Sequence, residues 1–282
     1  MAYKSILTVV NTSTPDRNQI ETAIGLARRE DAHLDVLCLG LDRSQAAYSY
    51  VGAAALPPVI QQVEVDRLRD AVKAAETAIR EKLESEDIRW AIDSGISPIG
   101  LIGQEVYRLA RFADLVVLPK PYGDKGQSDY ETIVEAALFD GRAPVLLLPH
   151  DKLHPIDPKR IVIAWNQGDE SMAAIRAALP MLRAAAEVSI AIVAPSSHSL
   201  ERSDPGGLLS QYLARQGVHC TVSVLAKTLP HVSEVLCRHV QDFDAGMIVM
   251  GAYGHSRFRE AILGGTTREM FEIAEVPVLT AH

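Results

Sequence analysis

The chain repeats itself. Lys159-Arg160-Ile161-Val162-Ile163-Ala164-Trp165-Asn166 echoes Lys4-Ser5-Ile6-Leu7-Thr8-Val9-Val10-Asn11. Further on, Ala245-Gly246-Met247-Ile248-Val249-Met250 echoes Ala113-Asp114-Leu115-Val116-Val117-Leu118, and Val276-Pro277-Val278-Leu279 echoes Ala143-Pro144-Val145-Leu146. The echoes come in the same order and at domain-scale spacing, so they mark the duplication of a whole domain, not a solenoid repeat. A chain built this way has to house two copies of one architecture.

Within each copy, short apolar runs alternate with segments of helical period. In the first copy Ile6 to Val10, Leu34 to Leu39, Arg89 to Asp93, Leu115 to Leu118 and Val145 to Leu148 read as strands. Between them Ile20, Ala23, Ile24 and Ala27 share one helix face, as do Leu68, Val72, Ala75 and Ile79. Ile99 to Ala110 and Tyr130 to Phe139 complete the helices, while residues 40–62 form a longer connection without an assignment. Runs that are apolar throughout suit strands covered on both faces, and strict strand–helix alternation predicts parallel sheets in α/β layers. The expected fold class is α/β: two tandem open-sheet sandwich domains, each with a five-stranded parallel sheet. The first domain is expected over residues 1–150 and the second over 159–282, joined by a proline-rich linker over 151–158.

The chemistry concentrates in Gly251-Ala252-Tyr253-Gly254-His255-Ser256-Arg257, which follows the buried strand Met247 to Met250, and in Gly264-Gly265-Thr266-Thr267, which opens a helix. Glycines let backbone amides approach a ligand closely, and a helix start offers unpaired N–H groups at the positive end of its dipole. That combination predicts a phosphate cradle at the carboxyl edge of the sheet. His255 and Arg257 lie where they can neutralise phosphate charge, and the same segment read as structure alone is a glycine-rich turn with a threonine cap. The first copy departs here. Pro119-Lys120-Pro121-Tyr122 replaces the glycine segment, and Val134 aligns with Thr267. Two prolines remove amide donors, so this copy is expected to be degenerate, with Lys120 taking no part in ligand binding.

The other constellations carry less. A formal net charge of -8 argues against a general nucleic-acid binder. No stretch approaches the apolar length of a membrane span, the three cysteines suggest no disulfide framework, and a cytoplasmic location is the expectation. Cys38 sits in a strand pattern as a small buried thiol. His231, Cys237 and His239 do not share one helix face and read as ordinary side chains, and Asp169 and Glu170 read as helix starters. Neither a nucleophile elbow nor a P-loop lysine occurs in the sequence.

The spacing Gly251-x-x-Gly254, then Gly264 and a small-residue/threonine step, together with the strand order and the Pro-Val-Leu final strand of both copies, resembles the ATP-binding signature of the universal stress protein family. The resemblance covers essentially the whole chain as two family domains in tandem. It implies an adenine nucleotide alpha hydrolase-like fold that holds ATP or another adenine nucleotide; Mg²⁺, held by phosphates and Thr266 or Thr267, belongs to the slow-ATPase alternative. Carried over to this sequence, Ala164 and Asn166 would lie beside adenine and ribose, and Val193 would contact adenine. Met250, Gly251, Gly254 and His255 would follow ribose and phosphates, with Ser256 and Arg257 beside them and Gly264, Gly265, Thr266 and Thr267 at the phosphate end. An acidic residue is common in the family where Asn166 stands, and a serine or threonine where Gly265 stands. The resemblance also implies an intrachain pseudo-dimer with Val145 to Leu148 and Val278 to Thr280 near its interface, and a further homodimer is a second expectation. Three functions stay open: a nucleotide-binding regulatory protein of the stress response, a slow ATPase, and an interaction module with a vestigial loop. No catalytic or metal-ligating residue is assigned.

Overall fold

The computed structural model describes residues 2–12, 16–43, 58–122, 128–150, 157–195, 204–252 and 265–282. In the N-terminal half the order is β1 (Ser5–Asn11), α1 (Arg17–Glu30), β2 (His33–Asp42), α2 (Pro58–Glu84), β3 (Arg89–Pro98), α3 (Ile102–Ala110), β4 (Leu115–Pro119), α4 (Ser128–Glu135) and β5 (Val145–Leu148). The C-terminal half repeats it as β6 (Arg160–Ala164), α5 (Asp169–Ala184), β7 (Glu187–Val193), α6 (Gly207–Arg215), β8 (Cys220–Leu225), α7 (Val232–Asp242), β9 (Met247–Gly251), α8 (Gly265–Ile273) and β10 (Val278–Ala281).

All ten strands belong to one sheet, in the order β3-β2-β1-β4-β5-β10-β9-β6-β7-β8. Within each half the pairing is parallel. The halves meet at β5 and β10, which pair antiparallel with Leu147 opposite Val278 and Val145 opposite Thr280. This pairing uses up two strand edges that would otherwise offer unpaired backbone groups. The seam side chains Val145, Leu147, Val278 and Leu279 are fully buried, and each such burial contributes about 1.5–3 kcal/mol.

Local chemistry sets the element ends. Asp16 caps α1 by accepting from the Asn18 amide at 2.8 Å, and the helix stops at Asp31 in the left-handed region (φ 50°). The second helix starts at Pro58, inside the connection left without an assignment from sequence, where proline suits a first helical turn. β3 extends to Pro98, past the expected Asp93, because β2 offers it a ten-residue parallel partner. A π-helical turn over Ala136–Asp140 separates α4 from β5. An inserted turn of this kind shifts the register, so matching Val134 with Thr267 does not carry through it. Ile133 and Val134 are both buried and apolar, and either residue leaves that position without a hydroxyl.

Side chains at Tyr3 and Lys120 reach across between the halves. The buried Tyr3 hydroxyl donates to the Ala177 carbonyl of α5 at 2.7 Å. The ammonium of Lys120, only 8% exposed, donates to the carbonyls of Glu272 at 3.0 Å and Ala274 at 2.8 Å, at the C-terminus of α8. A cation there satisfies carbonyls that the helix leaves open and complements the negative end of its dipole. Lys120 is itself held in place: its carbonyl lies 3.0 Å from His150 Nε2, whose Nδ1 faces Asp16 at 3.1 Å. The residue that the sequence left without a role therefore holds the far end of the helix that begins with Gly265-Thr266-Thr267. Lys120→Met is expected to lower unfolding free energy by about 1.5–3 kcal/mol, the range for a hydrogen bond to a charged group, with faster amide exchange in the last turn of α8. Thr280 is expected to behave oppositely. Its hydroxyl is fully buried at the seam with no partner among the described residues. Thr280→Val should raise the urea midpoint, by about 1–3 kcal/mol in stability, because an unsatisfied buried hydroxyl is removed at nearly constant shape.

Candidate functional site

The strand order places a topological switch between β6 and β9, where connections leave for opposite faces. Ala174, Ile175 and Ala178 of α5 and Leu209 and Leu213 of α6 pack into the core on one face. Leu236 and Val240 of α7 and Met270 and Phe271 of α8 pack on the other. Connections that part in this way leave a crevice beyond the carboxyl ends of the strands, which is where open α/β sheets bind ligands.

A cleft of about 250 Å³ lies there. Six of the residues singled out from sequence line it: Ala164, Asn166, Val193, Met250, Gly251 and Thr266. They come from the ends of β6, β7 and β9 and the start of α8. Thr267 is 7% exposed and does not line the cleft, so of the two threonines Thr266 is the one at its wall. Gly265 opens α8 on the exposed side. Gly254, His255, Ser256, Arg257 and Gly264 lie outside the described residues.

The two described glycines of the motif differ in their demands. A β-carbon on Gly251 would stand 2.4 Å from the Ser171 amide nitrogen and 2.7 Å from the Glu170 carbonyl carbon. The bare backbone of Gly251 thus lets the end of β9 touch the first turn of α5, which brings that helix start to the cleft. A β-carbon on Gly265 would meet only Glu269 Oε1, at an ordinary 3.5 Å. Glycine at 251 is required by helix–strand packing, and at 265 the described neighbours require none.

Several lining residues carried no sequence signal. Trp165 and Gln167 flank Asn166, Ala194 and Pro195 extend β7, and Val232 and Leu236 come from the start of α7. The i,i+4 spacing of Val232 and Leu236 marks an apolar helix face, but nothing in sequence says that this face ends at a crevice. Gln167 (φ 65°) and Ala194 (φ 43°) adopt left-handed backbone, unusual for residues with a β-carbon, and strain of this kind gathers at ligand sites. At Gln167 the turn is locked by Asn166, whose Oδ1 accepts from the Gly168 amide at 3.0 Å. Ser171 adds a bond from its hydroxyl to the Gly168 carbonyl at 2.7 Å.

The starts of α7 and α8 are tied together beside the cleft. Glu269 Oε2 accepts from the Ser233 hydroxyl at 2.6 Å, and Oε1 lies 2.8 Å from His231 Nδ1. The His231 amide donates to Glu234 Oε2 at 3.1 Å, closing the first turn of α7. Asp169 and Glu170 open α5, as their helix-starter reading has it. His239 faces the Ser189 hydroxyl at 2.9 Å, and burial lowers its pKa. The Cys237 thiol faces Met270, and its pKa is pushed up to about 11, chiefly by burial. Burial also takes the Cys38 thiol to about 12, which leaves it an inert core side chain. Among the described residues no group of three or more His, Cys, Asp or Glu side chains could hold a metal ion.

In the N-terminal half the described residues at the corresponding place form a buried polar network. Strand register sets Asn11 against Asn166, since Ile6 pairs with Leu115 as Ile161 pairs with Met247. Asn11 is buried, with its side-chain amide on Asp129 at 3.2 Å and its backbone amide on the Tyr130 hydroxyl at 3.1 Å. Arg43 closes on Asp129, and the Gln19 amide donates to Thr8 and to the Val9 carbonyl, each at 2.7 Å. Asn166 is exposed at the mouth of a cleft where its counterpart is consumed by a buried network.

Residues 158–282 match the model of the universal stress protein family. A curated relative, universal stress protein Slr1230 of Synechocystis sp., is 32% identical over 74 residues, 26% of this chain and 25% of the relative, so the match spans a quarter of that relative's length. A solved universal stress protein from Archaeoglobus fulgidus superposes with a TM-score of 0.73 at 14% identity, over 98% of this chain and 95% of the other. A functionally unknown protein from Pseudomonas aeruginosa gives 0.62 at 15% identity, over 99% of this chain and 92% of the other. At such identities the structural likeness shows the fold, and it extends over both halves. Among the described residues no helix is long and apolar enough to cross a membrane.

The contrast between the two glycines gives a test of how the site is built. Gly251→Ala is expected to cost about 1–3 kcal/mol in urea unfolding, as overpacking does, because the α5 start must retreat. Gly265→Ala is expected to stay within about 0.5 kcal/mol of the parent.

Proposed function

We propose that this chain, a member of the universal stress protein family through its C-terminal half, binds one adenine nucleotide in the cleft between β6, β7 and β9 and acts as a nucleotide-dependent regulatory protein. The observation that carries this reading is convergence. Residues marked by the family resemblance in four separate segments line one cleft at the switch point of the sheet.

The lining suits such a ligand. Ala164, Ala191, Val193, Val232, Leu236 and Met250 present apolar walls to a flat base, and Asn166, Gln167 and Thr266 bring polar groups to the same site. At about 250 Å³ the cleft is slightly smaller than most small-molecule sites, about 300–1,000 Å³, so it suits a nucleoside better than a whole triphosphate. The phosphates would then run toward the first turn of α8, whose N–H groups and dipole favour anions. Mg²⁺, where bound, would be held by phosphate oxygens with Thr266 as a candidate hydroxyl ligand.

Binding without efficient turnover is the preferred mode. Among the described residues near the cleft, Glu269 is held by Ser233 and His231, and Asp169 and Glu170 sit in the first turn of α5, where the helix dipole favours their charge. A general base needs a free carboxylate or imidazole within reach of the attacking water. In the N-terminal half, the network of Asn11, Asp129 and Tyr130 argues for a stoichiometry of one per chain.

Titration calorimetry with ATP, ADP and AMP on the full chain tests this. The parent is expected to bind one equivalent. Gly254→Val is expected to abolish binding with little change in unfolding midpoint. Thr266→Ala is expected to weaken it by about 1.5–3 kcal/mol, roughly 10- to 150-fold, the range for one hydrogen bond to a charged group. Trp165 lines the cleft and gives a parallel fluorescence signal. No heat with any of the three nucleotides, or a Gly254→Val variant that binds like the parent, would refute the assignment.

A further inference from the structure

We propose that the N-terminal half is a positioning element for the C-terminal cleft: Lys120, Tyr122 and Phe139 reach across the midline and hold two segments that border it, Gly251-Ala252 and α8. This role rests on adenine-nucleotide binding in that cleft, whereas the bracing contacts stand without it. All three side chains lie outside the cleft lining, so each acts through a residue of the other half and touches no ligand itself.

α8 depends on such contacts. It has nine residues, and helices shorter than about 12–15 residues are marginal without tertiary packing. Met270 and Phe271 anchor its core face. The loop after β4 clasps it at two further points. Lys120 closes its C-terminus through the Glu272 and Ala274 carbonyls, at 3.0 and 2.8 Å. Two residues on, the Tyr122 ring stacks with the Arg268 guanidinium, whose central carbon lies 4.9 Å from the ring centroid. That cation–π contact falls within one turn of Gly265, at the cleft end of the helix. Contacts toward both ends fix the rotation of α8 as well as its position, and rotation decides which threonine stands at the cleft wall.

The end of β9 is held from the same side. Strand register sets Ala252 where Lys120 stands in the other half, one residue past Gly251 and Pro119. In each half a histidine just past the last strand meets the carbonyl at this position: His150 Nε2 lies 3.0 Å from that of Lys120, and His282 Nδ1 lies 3.1 Å from that of Ala252. A carbonyl only accepts, so each of these ring nitrogens donates. The His282 ring in turn meets Phe139 edge-to-face, with centroids 4.8 Å apart and planes at 75°. Phe139 comes from the π-helical turn of the N-terminal half, so that turn sets a ring against the residue that holds the backbone beside Gly251. A binding site held in place beforehand loses less conformational freedom when its ligand arrives, and the shell behind the contacting groups decides whether they stand within reach.

Titration calorimetry with ATP and with adenosine, on variants of the full chain, separates positioning from general stability. Both ligands use the adenine walls and only ATP uses the start of α8, so the ratio of the two affinities reads the placement of that helix. Lys120→Met and Tyr122→Leu are each expected to weaken ATP about 2- to 30-fold, the range for changes that act on a site without touching its ligand, with adenosine unchanged within about twofold. Tyr122→Phe keeps the ring and is expected to bind ATP like the parent. Hydrogen exchange without nucleotide is expected to quicken at the amides of residues 269–273 in Lys120→Met and Tyr122→Leu. In Phe139→Leu it should quicken at the Ala252 amide, which donates to the Ala281 carbonyl at 2.9 Å. ATP affinity indifferent to Lys120→Met and Tyr122→Leu, or an equal loss of ATP and adenosine, would overturn the positioning role. A parent that binds neither ligand sinks the nucleotide reading and this role with it. Unchanged exchange in all three variants sinks the bracing alone.

Discussion

The antiparallel pairing of β5 with β10 is the constraint on which the rest of this molecule depends. Either five-stranded sheet alone would end in a four-residue strand with one edge unpaired. Joining the two edges makes one ten-stranded sheet and fixes the halves in opposite directions. Orientation follows from the pairing, and contact follows from orientation. Only with the halves inverted does the proline loop after β4 come beside the C-terminus of α8, where Lys120 caps carbonyls of the other half. Those two bonds anchor the helix whose first turn presents Thr266 to the cleft.

The halves share a topology and differ in what occupies the switch point. In the C-terminal half, Asn166 bends back onto Gly168 and leaves an open cleft with Trp165 and Gln167 at its wall. In the N-terminal half, Asn11 turns inward to Asp129 and Tyr130, and all three side chains are buried. The phenol of Tyr130 is fully buried, and burial raises its pKa, so it serves as a neutral partner. One duplicated fold thus supplies an open cleft in one half and a buried network in the other. The N-terminal half contributes through Lys120, from the loop whose prolines had already marked it as unsuited to wrapping phosphate.

Much of this was legible because it is local or periodic. Continuous apolar runs such as Leu115 to Leu118 can be satisfied only by burial on both faces, so the parallel α/β class followed from composition and spacing. The glycine at 251 was identified but its reason was not. It reads as an approach point for a ligand, and what approaches is the first turn of α5. Thr266 and Thr267 are indistinguishable in sequence. Rotation about α8, set by Met270 and Phe271 in the core, turns one toward the cleft and buries the other.

The sequence by itself determined the duplication, the strand and helix alternation, and the segments whose ends meet at the carboxyl edge, because each is written in apolar periodicity or in glycine and proline positions. The tertiary structure alone decided which side chains line the cleft, that Lys120 reaches across the midline, and that Asn11 and Asn166 have opposite fates. Those outcomes depend on distances between residues far apart in the chain. Such distances are set by strand register and by the packing of whole helices, which no local pattern encodes.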